Sequence, residues 1–219
     1  MNTIDIARSP TTRSYFPPPR FDAAEVGRRT PVADGPAKLP LDIPGNFIAE
    51  ILKPYRREAT YLRSARLESV RDKRDLAPGS KETGLITASG RFSIPNSCYI
   101  DSTGHFNAVE FNICFNQLAY VVFGKCIDLD VLKNLRLDDS NMSFGEFRRN
   151  QLSSMLIVKI ESRYYKMLKP ANFKATLSID RVAATGGAFF CFTSIDFSDD
   201  EGVKAKGTVL LAYNPKMVV

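Results

Sequence analysis

His105 is the only histidine in the chain. It stands in the run "YIDSTGHFNAVEFNICFNQLAY", residues 99–120, among three asparagines and a glutamate. Imidazole titrates closer to neutrality than any other side chain, so His105 is the first candidate for a general acid or base. Asn107 and Glu110 have the spacing of a capping box, with asparagine in place of serine or threonine, and an apolar run follows at once. The spacing predicts a helix from about Ala108 to Phe123, with Gly124 as its C-terminal stop. Its first turn carries polarised N–H groups, and Gly104 lets a ligand come close to the backbone just before it. Such an end can hold a carbonyl oxygen as negative charge develops on it.

Along the same helix Asn112, Asn116 and Tyr120 recur every fourth residue and form one polar stripe. Phe111, Phe115, Leu118 and Val122 form an apolar face. An amide cannot take a proton, but it can orient a water or an amine, or donate to an oxyanion. It can equally satisfy backbone groups or a subunit contact. Other chemistries fit less well. A serine triad with His105 lacks a "GxSxG" elbow, and the glycines form no phosphate loop or dinucleotide fingerprint. Cys98 sits at a strand end and Cys114 inside the apolar helix, which disfavours a thiol nucleophile. With Cys98, Cys114, Cys126 and Cys191 widely spaced and one histidine available, no metal site is expected, and the thiols read as buried.

The elements that must position these residues are few. Residues 1–44 hold eight of the thirteen prolines and have no helical or strand period, which predicts a flexible arm. Residues 45–219 read as one domain. A short helix begins at Asn46, its expected cap, buries Phe47, Ile48, Ile51 and Leu52 on one side, and is stopped by Pro54. "ATYLRSARLESV" and "GLITASGRFSI" alternate as two strands around a long polar loop. After the long helix comes a loop containing "SFGEFRRNQL". Four more strands follow in "SSMLIVKIESRYY", "FKATLSIDRVAA", "AFFCFTSIDFSD" and "VKAKGTVLLAY". One long helix between two early and four late strands predicts an α+β hotdog fold, an antiparallel β-sheet wrapped around a central helix.

The net charge of +6 favours an acidic partner. Residues 53–74 concentrate it in Lys53, Arg56, Arg57, Arg63, Arg66, Arg71, Lys73 and Arg74 against three acids, a run suited to phosphates, to an acidic carrier protein, or simply to solvent. Interleaved stacking aromatics are missing from it, so nucleic acid is not expected. No stretch reaches membrane-spanning length and residues 1–20 contain no continuous apolar run, which points to a cytoplasmic protein.

The run at 99–120, with "QLSSMLIVKIESRYYKMLKPANFKATL" at 151–177 and "ILKPY" at 51–55, closely resembles the FcoT/ScoD family of hotdog proteins. That resemblance implies a (2E)-enoyl-[acyl carrier protein] glycyltransferase of isonitrile lipopeptide biosynthesis. Glycine would add through nitrogen to the β-carbon of an α,β-unsaturated acyl thioester, and hydrolysis would release a 3-[(carboxymethyl)amino] fatty acid. Two alternatives stay open: a long-chain fatty acyl-CoA thioesterase, and a non-catalytic module that binds an acyl carrier. The family's functional positions fall on Tyr55, Tyr99, Asn107 and Asn116, and His105 joins them as proton acceptor from the glycine ammonium. Gly104, Glu110 and Tyr120 are expected to contact substrate. Lys159 and Arg163, four apart on a predicted strand, share a face and are candidate partners for the glycine carboxylate.

No cofactor is implied, because the acyl group arrives on the phosphopantetheine of a carrier protein or on CoA. A homodimer or a trimer of dimers is expected from the likeness. The chain departs from the family at Asp101, where a basic residue is expected, at Asn112, usually apolar, and in the loop at 71–82. These departures bear on chain length and carrier preference. The "GHF" histidine before the helix also resembles that of hotdog β-hydroxyacyl dehydratases, whose in-helix carboxylate is replaced here by Asn116.

Overall fold

The computed structural model describes residues 38–71, 84–101, 104–132, 143–185 and 187–214. Residues 1–37 and 72–83, which include most of the predicted arm and of the long polar loop, lie outside the described residues. Seven strands form one antiparallel sheet in the order β1-β2-β3-β5-β6-β7-β4. They are β1 Leu41–Ile43, β2 Leu62–Val70, β3 Ile86–Phe92, β4 Met155–Tyr164, β5 Phe173–Thr185, β6 Ala188–Asp199 and β7 Gly202–Tyr213. Three helices accompany them, α1 Gly45–Ile51, α2 Ala108–Asp128 and α3 Phe144–Ser154. This is the hotdog architecture: the alternating inward residues of β5, β6 and β7 are buried against α2. Strand β1, inside the stretch expected to be an arm, pairs Leu41 with Leu67 and Ile43 with Ala65.

α2 is buried around most of its circumference, as a helix enclosed by a sheet must be. Phe111, Phe115, Leu118 and Val122, the predicted apolar face, are fully buried. The helix runs on past Gly124 to Asp128, so Gly124 is not its stop. It is a contact point instead: a Cβ there would lie 2.9 Å from Ile51 Cδ1 of α1 and 3.1 Å from Phe147 of α3. On the opposite side a Cβ at Gly207 of β7 would overlap the Phe111 ring and the Glu161 carbonyl. Both glycines are needed for space.

Two further expectations are corrected. The "SFGEFRRNQL" stretch is helix α3 rather than a loop, nucleated by a capping box in which Glu146 accepts from Ser143 N at 2.8 Å and Ser143 Oγ accepts from Glu146 N at 3.3 Å. Its apolar period is faint because only Phe147, Gln151 and Ser154 are buried. α1 begins at Gly45 after Pro44, with no side-chain cap, so Asn46 is not its N-cap. Among the cysteines, Cys114, Cys126 and Cys191 are buried as expected, whereas Cys98 is half-buried.

Candidate active site

The first turn of α2 is held by a closed set of hydrogen bonds around Asn107. Its Oδ1 accepts from Val109 N at 3.0 Å, from Glu110 N at 3.3 Å and from the Tyr99 hydroxyl at 2.9 Å. Glu110 Oε2 accepts in return from Asn107 N at 3.3 Å. The predicted capping box is therefore present, and it changes what the helix end offers. Two of the N–H groups expected to face a carbonyl oxygen are already spent on Asn107 Oδ1. The Ala108 N–H has no acceptor among the described residues, and it remains with the Asn107 Nδ2 group as a donor for a ligand.

Gly104 takes φ +75°, a left-handed conformation that favours glycine, and the position of its absent Cβ is open. His105 follows, exposed, and lines a surface cavity of about 390 Å³ with Phe106, Asn107, Ala108 and residues 164–167. Glu110 lies inward of it and is only 3% exposed. Burial pushes its carboxyl above the ordinary value, while the Asn107 N–H and the nearby His105 pull the other way. Its charge reaches Tyr61 on the approach to β2, Cys114 on α2 and Tyr164 on β4. Glu110 is thus a desolvated carboxylate within electrostatic reach of His105, and His105 itself opens onto the cavity.

A second group sits further along α2. Tyr55 is half-buried, and burial, then Tyr120 and Cys114, push its hydroxyl far above the ordinary tyrosine value. Burial does the same to Tyr120. Both hydroxyls are therefore suited to donate hydrogen bonds rather than to act as acids. Asn116 Nδ2 donates to Asn112 Oδ1 at 3.4 Å on the open side of the helix. Nine residues at the helical rise place Asn116 about 14 Å along the axis from Asn107. Within one chain Tyr99, His105, Asn107 and Glu110 come together, whereas Tyr55, Asn116 and Tyr120 belong to the middle of the helix.

Lys159 and Arg163 do share a face, but it is the outer one. Their strand partners Leu210 and Lys206 alternate with the buried Val209 and Leu211, so both point away from α2. Lys159 pairs with Glu161 at 2.7 Å, and Arg163 lines an outer groove of about 520 Å³ with Thr176, Ser194 and Thr208. The chain does not bring either to His105. The basic run is likewise dispersed: Arg66 pairs with Asp42 at 3.4 Å and Arg63 donates to the Ser93 carbonyl at 3.1 Å.

Sequence reasoning missed Gln117. Fully buried, it accepts from Tyr61 N and Leu62 N, both at 2.9 Å, and donates to the Ala59 carbonyl at 2.6 Å. It pins the entry to β2 onto α2. Its place one residue off the asparagine stripe was the available signal. Among the described residues no three histidine, cysteine, aspartate or glutamate side chains group to hold a metal, and no helix is long and apolar enough to cross a membrane.

A sheet wrapped on one helix, with donors and a titratable pair at the helix's open end, defines a hotdog protein suited to acyl-carbonyl chemistry. The chain belongs to the FcoT-like thioesterase domain family, which matches residues 50–213. It is 34% identical over 171 residues to the (2E)-enoyl-[ACP] glycyltransferase of Mycobacterium marinum, covering 76% of this chain and 84% of that one. The protein of the same name from Mycobacterium tuberculosis is 35% identical over 170 residues, with coverage of 76% and 84%. That of Streptomyces coeruleorubidus is 30% identical over 172 residues, covering 76% of this chain and 94% of its own.

Proposed function

We propose that this chain is a (2E)-enoyl-[ACP] glycyltransferase. The reading is supported by relatives of that name across most of the chain, and above all by His105 lining the cavity beside the Asn107 cap. The glycine nitrogen attacks the β-carbon of the enoyl thioester, and the alkene electron pair moves through the α-carbon onto the thioester oxygen. Asn107 Nδ2 and the Ala108 N–H donate to that enolate oxygen. His105 first takes a proton from the glycine ammonium, freeing the amine. A proton returns to the α-carbon as the enolate collapses, leaving a 3-[(carboxymethyl)amino] acyl thioester. Water then attacks its carbonyl and the carrier thiol leaves.

The acyl group needs no cofactor beyond the phosphopantetheine that carries it, and the reaction suits the cytoplasm, where carrier-bound acyl chains are made. Asn116 is too far along α2 to act on the same carbonyl as Asn107 within one chain. A homodimer removes that difficulty. Strand β4 is an edge with Leu156, Val158 and Ile160 exposed, a surface suited to pairing with a second copy. The mid-helix group of one copy would then serve the cavity of the other.

The family's description as a thioesterase domain favours a second reading, simple hydrolysis of a long-chain acyl-CoA. Mass spectrometry of a carrier-bound (2E)-enoyl thioester incubated with and without isotopically labelled glycine separates the two. Label in the released acid is expected. Unmodified enoic acid, released regardless of glycine, would make the chain a thioesterase.

A further inference from the structure

The cavity beside His105 has an exposed apolar rim. Residues 165–170, between β4 and β5, are pinned at several points. Tyr165 N and Lys166 N donate to the Lys204 carbonyl at 2.8 and 3.3 Å, Phe106 N donates to the Leu168 carbonyl at 3.1 Å, and Ile94 N to the Pro170 carbonyl at 2.8 Å. Leu168 is buried beneath the segment. Met167, at its apex, is nevertheless 76% exposed, the most exposed large apolar residue among those described, and Tyr165 beside it is 57% exposed. A segment fixed by its backbone holds these side chains in water at the cost of their solvation, which marks a surface for contact.

The charges around Met167 indicate the partner. Lys204, almost fully buried, takes up the hairpin carboxylates Glu201 at 2.6 Å and Asp199 at 3.4 Å. Neither Lys166 nor Lys169 forms an ion pair among the described residues, and Glu201, which feels the charge of Lys169, is already held by Lys204. The rim therefore presents a methionine between two lysines, with a tyrosine beside them, in a chain of net charge +6. A second copy meeting this patch with its own across a two-fold axis would bring lysines against lysines. An acidic protein that delivers an anionic phosphopantetheine arm into the adjoining cavity meets both the charge and the position.

We infer that residues 165–169 are the docking surface for the acyl carrier protein, with Met167 and Tyr165 as the apolar contact and Lys166 and Lys169 as its basic flank. This rests on the glycyltransferase reading for the partner's identity. Docking there places the carrier on the side of the cavity opposite His105 and Asn107, with only the prosthetic arm entering.

The test uses one (2E)-enoyl chain carried either by holo carrier protein or by pantetheine alone. It compares the full-length chain with Lys169→Glu, outside the cavity lining, and with Met167→Asp, on its rim. Each variant should raise KM for the carrier-borne substrate by about tenfold, the scale expected of a central apolar contact or a reversed basic flank. For Lys169→Glu, KM for the pantetheine thioester should stay within about twofold, for Met167→Asp it should rise far less than KM for the carrier-borne substrate, and added salt should weaken only the carrier-borne reaction. Equal losses on both substrates, or no loss on either, overturn the docking surface. A change in oligomeric mass of the variants by light scattering also overturns it, by assigning the rim to a contact between copies. If the unaltered chain adds glycine to neither substrate, the functional reading itself has failed.

Discussion

The two halves of α2 differ in what surrounds them. From Gln117 onward the helix is locked: Gln117 is bonded to three backbone groups near β2, and Gly124 lets Ile51 and Phe147 approach its backbone. At its other end the first turn is capped by Asn107 but open to a cavity, and its neighbours Glu110 and His105 lie one buried and one exposed. The amides of one helix thus do two kinds of work, and which kind each does is decided by packing. Rigidity in the locked half lets the open half hold donors in fixed positions without enclosing them.

The largest effect separating the halves is expected from Gln117→Ala. It orphans the buried N–H groups of Tyr61 and Leu62 and should cost about 3 kcal/mol or more. Chemical denaturation measures the loss, and activity per folded molecule should change little. Asn107→Ala should do the reverse. It removes a cap worth about 1 kcal/mol, yet takes away a donor to the enolate and should lower kcat about 100-fold. A loss of stability with normal turnover would make Asn107 only a cap.

Glu110→Gln probes the pair more finely. The folded protein raises the Glu110 pKa above its usual 4.5, so it binds more protons than the unfolded chain between the two values. Its contribution to stability is therefore greatest below the unfolded pKa and is lost as pH rises through the folded one. Glu110→Gln should flatten that fall in stability from acid to neutral pH, seen in thermal midpoints across the range. The smallest effect belongs to Asn112→Ala, exposed and joined to Asn116 by a bond of 3.4 Å, with stability changing by less than about 0.5 kcal/mol.

The same division explains what the sequence made legible. Strands β3, β5 and β6 alternate cleanly, and the asparagine–glutamate spacing before an apolar run carried the start of α2 with its cap. Local signals failed where the partner was distant. Gly124 reads as a helix stop, but its reason lies in Ile51 and Phe147. α3 was hidden because it buries one aromatic and two polar residues, so its period is weak although its serine–glutamate box was readable. The placement of Lys159 and Arg163 on a common face follows from strand period, but which face turns toward α2 is set by the sheet's packing. The positions of Tyr99 and His105 around Asn107 depend on a loop rich in turn residues, for which periodicity carries no information.

On the proposed reading the open first turn of α2 performs the addition. The most direct measurement is the rate of labelled 3-[(carboxymethyl)amino] acid formed from a carrier-bound (2E)-enoyl thioester by the unaltered chain and by His105→Gln, with thermal midpoints recorded alongside. A fall of about 100-fold at an unchanged midpoint is the predicted result. Equal rates from the two proteins would contradict it.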